Sequence, residues 1–149
     1  VGAGTVLKVD QVKAAVDVGA RFMVSPGFNP KVVAYCVEND IPITPGISTP
    51  SDIEAALEFG LEVLKFFPAG AFGGLKTLKA MSGPYTTVRF IPTGGVSPEN
   101  LMDYLGFAKV LACGGTWVAK SVLISEGKFD QILTNAREAV SLVKKVKQA

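Results

Sequence analysis

The chain reads as an α/β fold built on a parallel sheet, and three observations predict it. Six short β-favouring segments recur about every 19 to 25 residues. Helical patterns fill the intervals between them. Each segment ends in, or runs close to, a glycine or proline of the kind that punctuates a strand exit. Strands alternating with helices in this way favour parallel pairing.

The elements follow in order. G-A-G-T-V (2–6) is the first strand, and residues 9–18 then place Val9, Val12, Ala15 and Val16 on one helical face, stopped by Gly19. F-M-V-S-P-G (22–27) and I-P-I-T-P-G (41–46) are the second and third strands. In S-T-P-S-D-I-E-A-A-L, Thr49 is placed to cap a helix, Pro50 suits its first position, and Asp52 brings negative charge to the first turn. V-L-K-F-F-P-A (63–69) is the fourth strand. V-R-F-I-P-T-G-G (88–95) is the fifth, followed by a second start signal at Ser97 and Pro98. K-V-L-A-C-G-G (109–115) is the sixth, and residues 130–147 form the longest helix, with Ile132, Leu133, Ala136, Ala139, Val140 and Val143 at helical spacing. The strands lack a clean polar face, as expected when both faces are covered.

Two layouts fit this pattern. A doubly wound sheet usually carries a glycine-rich phosphate loop after its first strand, whereas (β/α)8 TIM barrels commonly hold phosphate after their last strands. Here the glycine pairs follow the last two strands, which favours the barrel. Eight units at this spacing need about 200 residues. The expectation is therefore one partial-barrel domain over residues 1–149, with six units present and two N-terminal ones missing.

Composition narrows the function. Hydrophobic content of 48% against 19% charged residues is that of a globular protein. A net charge of +2, from 15 basic and 13 acidic side chains, argues against nucleic acid, and K-K-V-K near the C-terminus reads as a complement to a helix dipole. No run approaches the roughly 18 apolar residues of a membrane span. Cys36 and Cys113 are far apart in sequence, with no CxxC, so reduced thiols and a cytoplasmic location are expected. The chain has no histidine, which removes Ser-His-Asp and Cys-His catalysis and His-based metal centres. No metal or cofactor is expected.

Lys65 is the residue that composition leaves exposed to question. Period two puts Val63, Lys65 and Phe67 on one face of their strand and Leu64 and Phe66 on the other. Facing the interior of a barrel, the ammonium would sit among apolar side chains, and desolvation would lower its pKa. A neutral amine is a nucleophile toward ketones and yields an iminium, an electron sink that allows a carbon–carbon bond to break. Facing outward, the same lysine would merely snorkel between helices. Farther along, P-T-G-G and A-C-G-G-T offer backbone amides at Gly94, Gly95, Gly114 and Gly115 and hydroxyls at Thr93 and Thr116, the makings of a phosphate cradle. Glu54, Glu58, Asp103 and Glu138 fall at solvated helical positions, and Cys113 and Trp117 read as packing.

With these residues in place the chain resembles the class I 2-keto-3-deoxy-6-phosphogluconate (KDPG) and 4-hydroxy-2-oxoglutarate (KHG) aldolases. The matching stretches are G-A-G-T-V, S-P-G, P-G-I-S-T-P, K-F-F-P-A, G-P-Y, P-T-G-G-V and G-G-T-W, in family order along the whole chain. The resemblance implies a (β/α)8 barrel assembling as a homotrimer, a Schiff-base lysine at Lys65, and no cofactor. It implies that Thr5, Pro26 and Phe67 line the pyruvate end of a phosphorylated keto acid. Thr93 would then lie between the two ends, and Gly94, Gly95, Gly114, Gly115 and Thr116 would hold the phosphate. The family's acid/base glutamate and a carboxylate-holding arginine come from a strand before G-A-G-T-V, and no carboxylate here matches that pattern. The rival expectation is a catalytically silent phosphate-binding fragment or assembly subunit. A phosphosugar isomerase is a weaker third option, since nothing supplies its acid–base pair.

Overall fold

The computed structural model describes residues 1–147. The strands are short and all pair in parallel: β1 (Ala3–Gly4), β2 (Met23–Val24), β3 (Ile43–Thr44), β4 (Gly46–Ile47), β5 (Val63–Phe66) and β6 (Arg89–Pro92). The orders are β1-β2-β3 and β4-β5-β6. The expected third strand is thus two strands, divided by Pro45. Proline has no N–H to give the ladder, but the Pro45 carbonyl still accepts from the Lys65 amide at 2.9 Å. The strands form two three-stranded sheets, and within each every strand pairs with its neighbour in sequence, with none of the order reversal of a doubly wound sheet.

The expected sixth strand is only partly regular. Residues 110–114 touch β6 through isolated bridges, Phe90 with Val110 and Thr93 with Gly114. The hydrogen bonds are nevertheless good, Leu111 N to Phe90 O and Gly114 N to Pro92 O both at 2.9 Å. Among the described residues the two sheets do not close into a barrel, and β1 and the 110–114 segment have no strand on their outer sides.

Seven helices are present among the described residues: α1 (Val9–Asp17), α2 (Pro30–Glu38), α3 (Pro50–Glu58), α4 (Gly74–Ser82), α5 (Pro98–Leu105), α6 (Ser121–Ser125) and α7 (Phe129–Lys147). α3 begins as expected: Thr49 Oγ1 accepts from Asp52 N at 3.2 Å, while Asp52 Oδ2 accepts from Thr49 N at 3.0 Å. The short α6 was not expected.

The core explains which way each strand faces. Met23 and Ile43 pack with Val12, Val32, Val33 and Cys36 of α1 and α2. Ile47, Leu64, Phe66 and Phe90 pack with Ile53, Ala56, Leu78, Leu101 and Tyr104 of α3, α4 and α5. Parallel register keeps paired residues on one face, so Gly46, Lys65 and Ile91, paired across β4, β5 and β6, occupy the face turned away from the helices. Leu64 and Phe66 are fully buried, worth about 2 kcal/mol each. That burial fixes the register, and a one-residue slip would drive Lys65 into the helices.

Candidate active site at the strand exits

Lys65 is 9% exposed. Burial lowers its pKa. No carboxylate pairs with it among the described residues, whose one ion pair joins Lys128 to Glu126. Its Nζ lies instead over the face of the Phe67 ring, 4.3 Å from the centroid. The nearest backbone on β4 is Gly46, where a Cβ would stand 2.0 Å from the Pro26 carbonyl oxygen. Pro26 therefore closes against the strand beside Lys65.

Phe67 leads from the amine to the glycine turn. A Cβ on Gly94 would lie 3.2 Å from Phe67 Cε2, so the ring rests on the Gly94 backbone. Gly94 and Gly95 have φ of 85° and 81°, a left-handed pair that only glycine adopts without strain. The turn is held from two sides. Ala69 N donates to Thr93 O at 2.9 Å and Gly70 N to Gly94 O at 2.8 Å, clipping the β5–α4 loop onto it. Asn100 Nδ2 donates to Gly95 O at 2.9 Å while Asn100 Oδ1 accepts from Ser97 N at the start of α5. The dipole of α5 thus begins beside the glycine pair.

The remaining predicted residues divide. Thr93 joins the group, with its amide bonded to Phe66 O at 3.0 Å. Gly114 does too: a Cβ there would be 2.7 Å from Thr93 Oγ1. Gly115 is covered by the Trp117 ring. Thr116 is exposed one residue beyond, and Thr5 is exposed past the end of β1. What all share is position, since each lies at or just beyond the C-terminal end of a strand, the edge where parallel α/β sheets bind ligands.

The acidic residues lie elsewhere. None of the 13 Asp and Glu side chains falls in a strand or in a loop following one. Glu54, expected to be solvated, accepts a hydrogen bond from Tyr85 Oη at 3.0 Å. Cys113 is pushed up to about 11 by burial, which keeps it a thiol. It lines an apolar cavity of about 460 Å³ between α5, residues 110–118 and α7, away from Lys65. Sequence reasoning missed Gly70 and Asn100. The N3 position of Asn100 in S-P-E-N was a readable signal for the cap, but not for its second bond to Gly95.

The buried amine of Lys65 thus lies beside a glycine turn that opens onto a helix start, a grouping suited to a nucleophile and an anion. Comparison with known proteins places the chain in a family. Residues 1–135 match the family described as KDPG and KHG aldolase. The 2-dehydro-3-deoxy-phosphogluconate aldolase of Treponema pallidum is 49% identical over 142 residues, covering 95% of this chain and 68% of that protein. The KHG/KDPG aldolase of Escherichia coli K12 is 46% identical over 140 residues, covering 94% and 66%. The structure of the Legionella pneumophila KDPG aldolase, with pyruvate captured as a covalent carbinolamine, superimposes with a TM-score of 0.87 at 35% identity, covering 95% of this chain and 67% of that one. This chain belongs to the KDPG and KHG aldolase family and spans about two thirds of the length of these relatives.

Proposed function

We propose that the chain is a class I aldolase that cleaves 2-keto-3-deoxy-6-phosphogluconate to pyruvate and glyceraldehyde 3-phosphate, with 4-hydroxy-2-oxoglutarate as a second substrate. Lys65 is the Schiff-base residue. Its neutral amine adds through the nitrogen lone pair to the C2 ketone, and loss of water from the carbinolamine leaves a protonated imine. The C3–C4 bond then breaks. Its electron pair enters the iminium to give an enamine, and the C4 hydroxyl releases its proton as the aldehyde forms. Protonation of the enamine at C3 and addition of water release pyruvate and restore the amine.

The observation that carries this reading is the placement of Lys65: buried, turned away from the helices, unpaired, and joined through Phe67 to the Gly94–Gly95 turn. Phe67 and Pro26 flank the pyruvate end, with Thr93 between the ends. The phosphate is assigned to the amides of Gly94, Gly95, Gly114 and Gly115. Thr5 and Thr116 stand at the same sheet edge as the outer members of the set. The silent phosphate-binding alternative is not favoured, because the Legionella pneumophila relative carries pyruvate covalently.

The sequential parallel sheet is read as six consecutive units of a (β/α)8 barrel, with further strands pairing at β1 and at residues 110–114. A homotrimer and a cytoplasmic location complete the reading; Cys36 and Cys113, both free thiols, fit the latter. Among the described residues no carboxylate lies at a strand exit, and general acid–base help at the C4 proton is worth about 10² to 10⁴ in rate. The test is pyruvate release from the phosphorylated keto acid: slow production lost in Lys65→Met supports the assignment, and production unchanged in Lys65→Met refutes it.

A further inference from the structure

Three consecutive carbonyls, those of Thr93, Gly94 and Gly95, are held from the side of the β5–α4 loop and α5. The first two accept from the successive backbone amides of Ala69 and Gly70, at 2.9 and 2.8 Å. Gly70 lies close enough that a Cβ there would meet Gly95 Cα at 3.3 Å and Gly94 O at 3.4 Å. The third carbonyl, Gly95 O, is taken by a side chain instead, Asn100 Nδ2 at 2.9 Å. Asn100 Oδ1 meanwhile accepts from Ser97 N at 2.9 Å. A carboxamide can serve a donor and an acceptor at once, whereas a carboxylate can serve only the donor.

These holds decide where the turn points its own N–H groups. A trans peptide unit is planar and sends its N–H away from its C=O, and the peptide bonds of this turn are trans. Holding the carbonyls of Thr93, Gly94 and Gly95 toward the β5–α4 loop and α5 therefore turns the amides of Gly94, Gly95 and Val96 together to the opposite side. Successive amides turned one way make a concavity that binds anions. The φ angles of 85° at Gly94 and 81° at Gly95 are the backbone conformation that brings them round. Backbone fixes the first two peptides whatever the side chains are. The third depends on Asn100.

We propose that Asn100 is a positioning residue for the phosphate end: by holding Gly95 O it aims the Val96 amide at the phosphate, beside those of Gly94 and Gly95. It thereby sets the preference for a phosphorylated over an unphosphorylated keto acid. Asn100 acts through the turn and not on the ligand. The inference rests on the assignment of the phosphate to this turn, and the two can fail separately.

Inorganic phosphate is titrated into nitrogen-15-labelled protein while the amide signals of Gly94, Gly95 and Val96 are followed by NMR. All three should shift saturably in wild type. Asn100→Ala should weaken phosphate about five- to tenfold, the worth of one hydrogen bond. In borohydride trapping it should need that much more of the phosphorylated keto acid for half-maximal adduct at Lys65, with the pyruvate requirement unchanged. A cap lost for structural reasons alone would not separate the two keto acids. Asn100→Asp keeps the acceptor for Ser97 N without the donor, and serves if the alanine variant fails to fold. At saturating phosphate its Val96 shift should shrink relative to those of Gly94 and Gly95, a change of pattern that added negative charge alone does not make. Phosphate affinity unchanged in Asn100→Ala, or an unaltered pattern of shifts in Asn100→Asp, overturns this proposal and leaves the phosphate assignment standing. Turn amides that ignore phosphate in wild type defeat both.

Discussion

Two lysines at opposite edges of the sheet show what a partly buried amine can be for. Lys109, at the entrance to the last β segment, donates from Nζ to the carbonyls of Ser82 and Tyr85, the latter at 2.7 Å. It closes the C-terminal end of α4 and the G-P-Y turn, where a cation also complements the helix dipole. Lys65, at the strand exits, has no such carbonyls and lies over a ring. Lys109 spends two of its three donors on backbone carbonyls and is a structural clamp. Lys65 is left available, with its charge disfavoured by burial, and that is the condition for a nucleophile.

The contrast breaks most visibly under exchange to methionine. Lys65→Met should reduce pyruvate release by on the order of 10³-fold or more while the protein stays folded. Lys109→Met should do the opposite. It should leave pyruvate trapping per folded molecule unchanged and destabilise the fold by about 1–3 kcal/mol in urea unfolding, as two carbonyls lose their donor. A Lys109→Met protein with full stability would end the clamp reading.

The pH dependence of stability sharpens the same comparison. Lys65 has a folded-state pKa below its unfolded value, so between the two the unfolded chain binds more protons and stability rises with pH. Below that window the folded state bears the full cost of the charged amine. Lys65→Met should therefore be more stable than wild type at neutral pH, with the difference shrinking as pH approaches the ordinary lysine range near 10.4. A constant difference across pH would count against burial as the cause.

Smaller effects are expected at the glycine turn. Gly95→Ala puts a Cβ 3.0 Å from Gly70 Cα at a φ of 81° and should cost about 1–2 kcal/mol. It should also weaken competition by inorganic phosphate in the trapping reaction. Asn100→Ala removes the bond to Gly95 and the cap at Ser97, and should cost about 1 kcal/mol, measured by thermal unfolding. Neither should abolish the imine.

Much of this was legible because it is local. The alternation through Val63 to Phe67 separated Lys65 from Leu64 and Phe66 but left open which face meets the helices, and the packing of Leu64 and Phe66 in the helix-side core decides it. The cap at Thr49 and the helix start at Ser97 follow from residue chemistry within four positions. What the sequence concealed is long-range. Pro45 dividing a strand depends on two different neighbours, β2 and β5, pulling on one segment. The clip of Gly70 on Gly94 and the roles of Lys109 and Tyr85 join residues 24 or more apart. No periodicity encodes such pairings.

The most direct test of the central claim is reduction with borohydride in the presence of pyruvate, followed by peptide mass mapping. A single reduced pyruvate adduct is expected on the peptide carrying Lys65, and none on Lys109. An unmodified Lys65 peptide, or an adduct spread across surface lysines and retained in Lys65→Met, would contradict it.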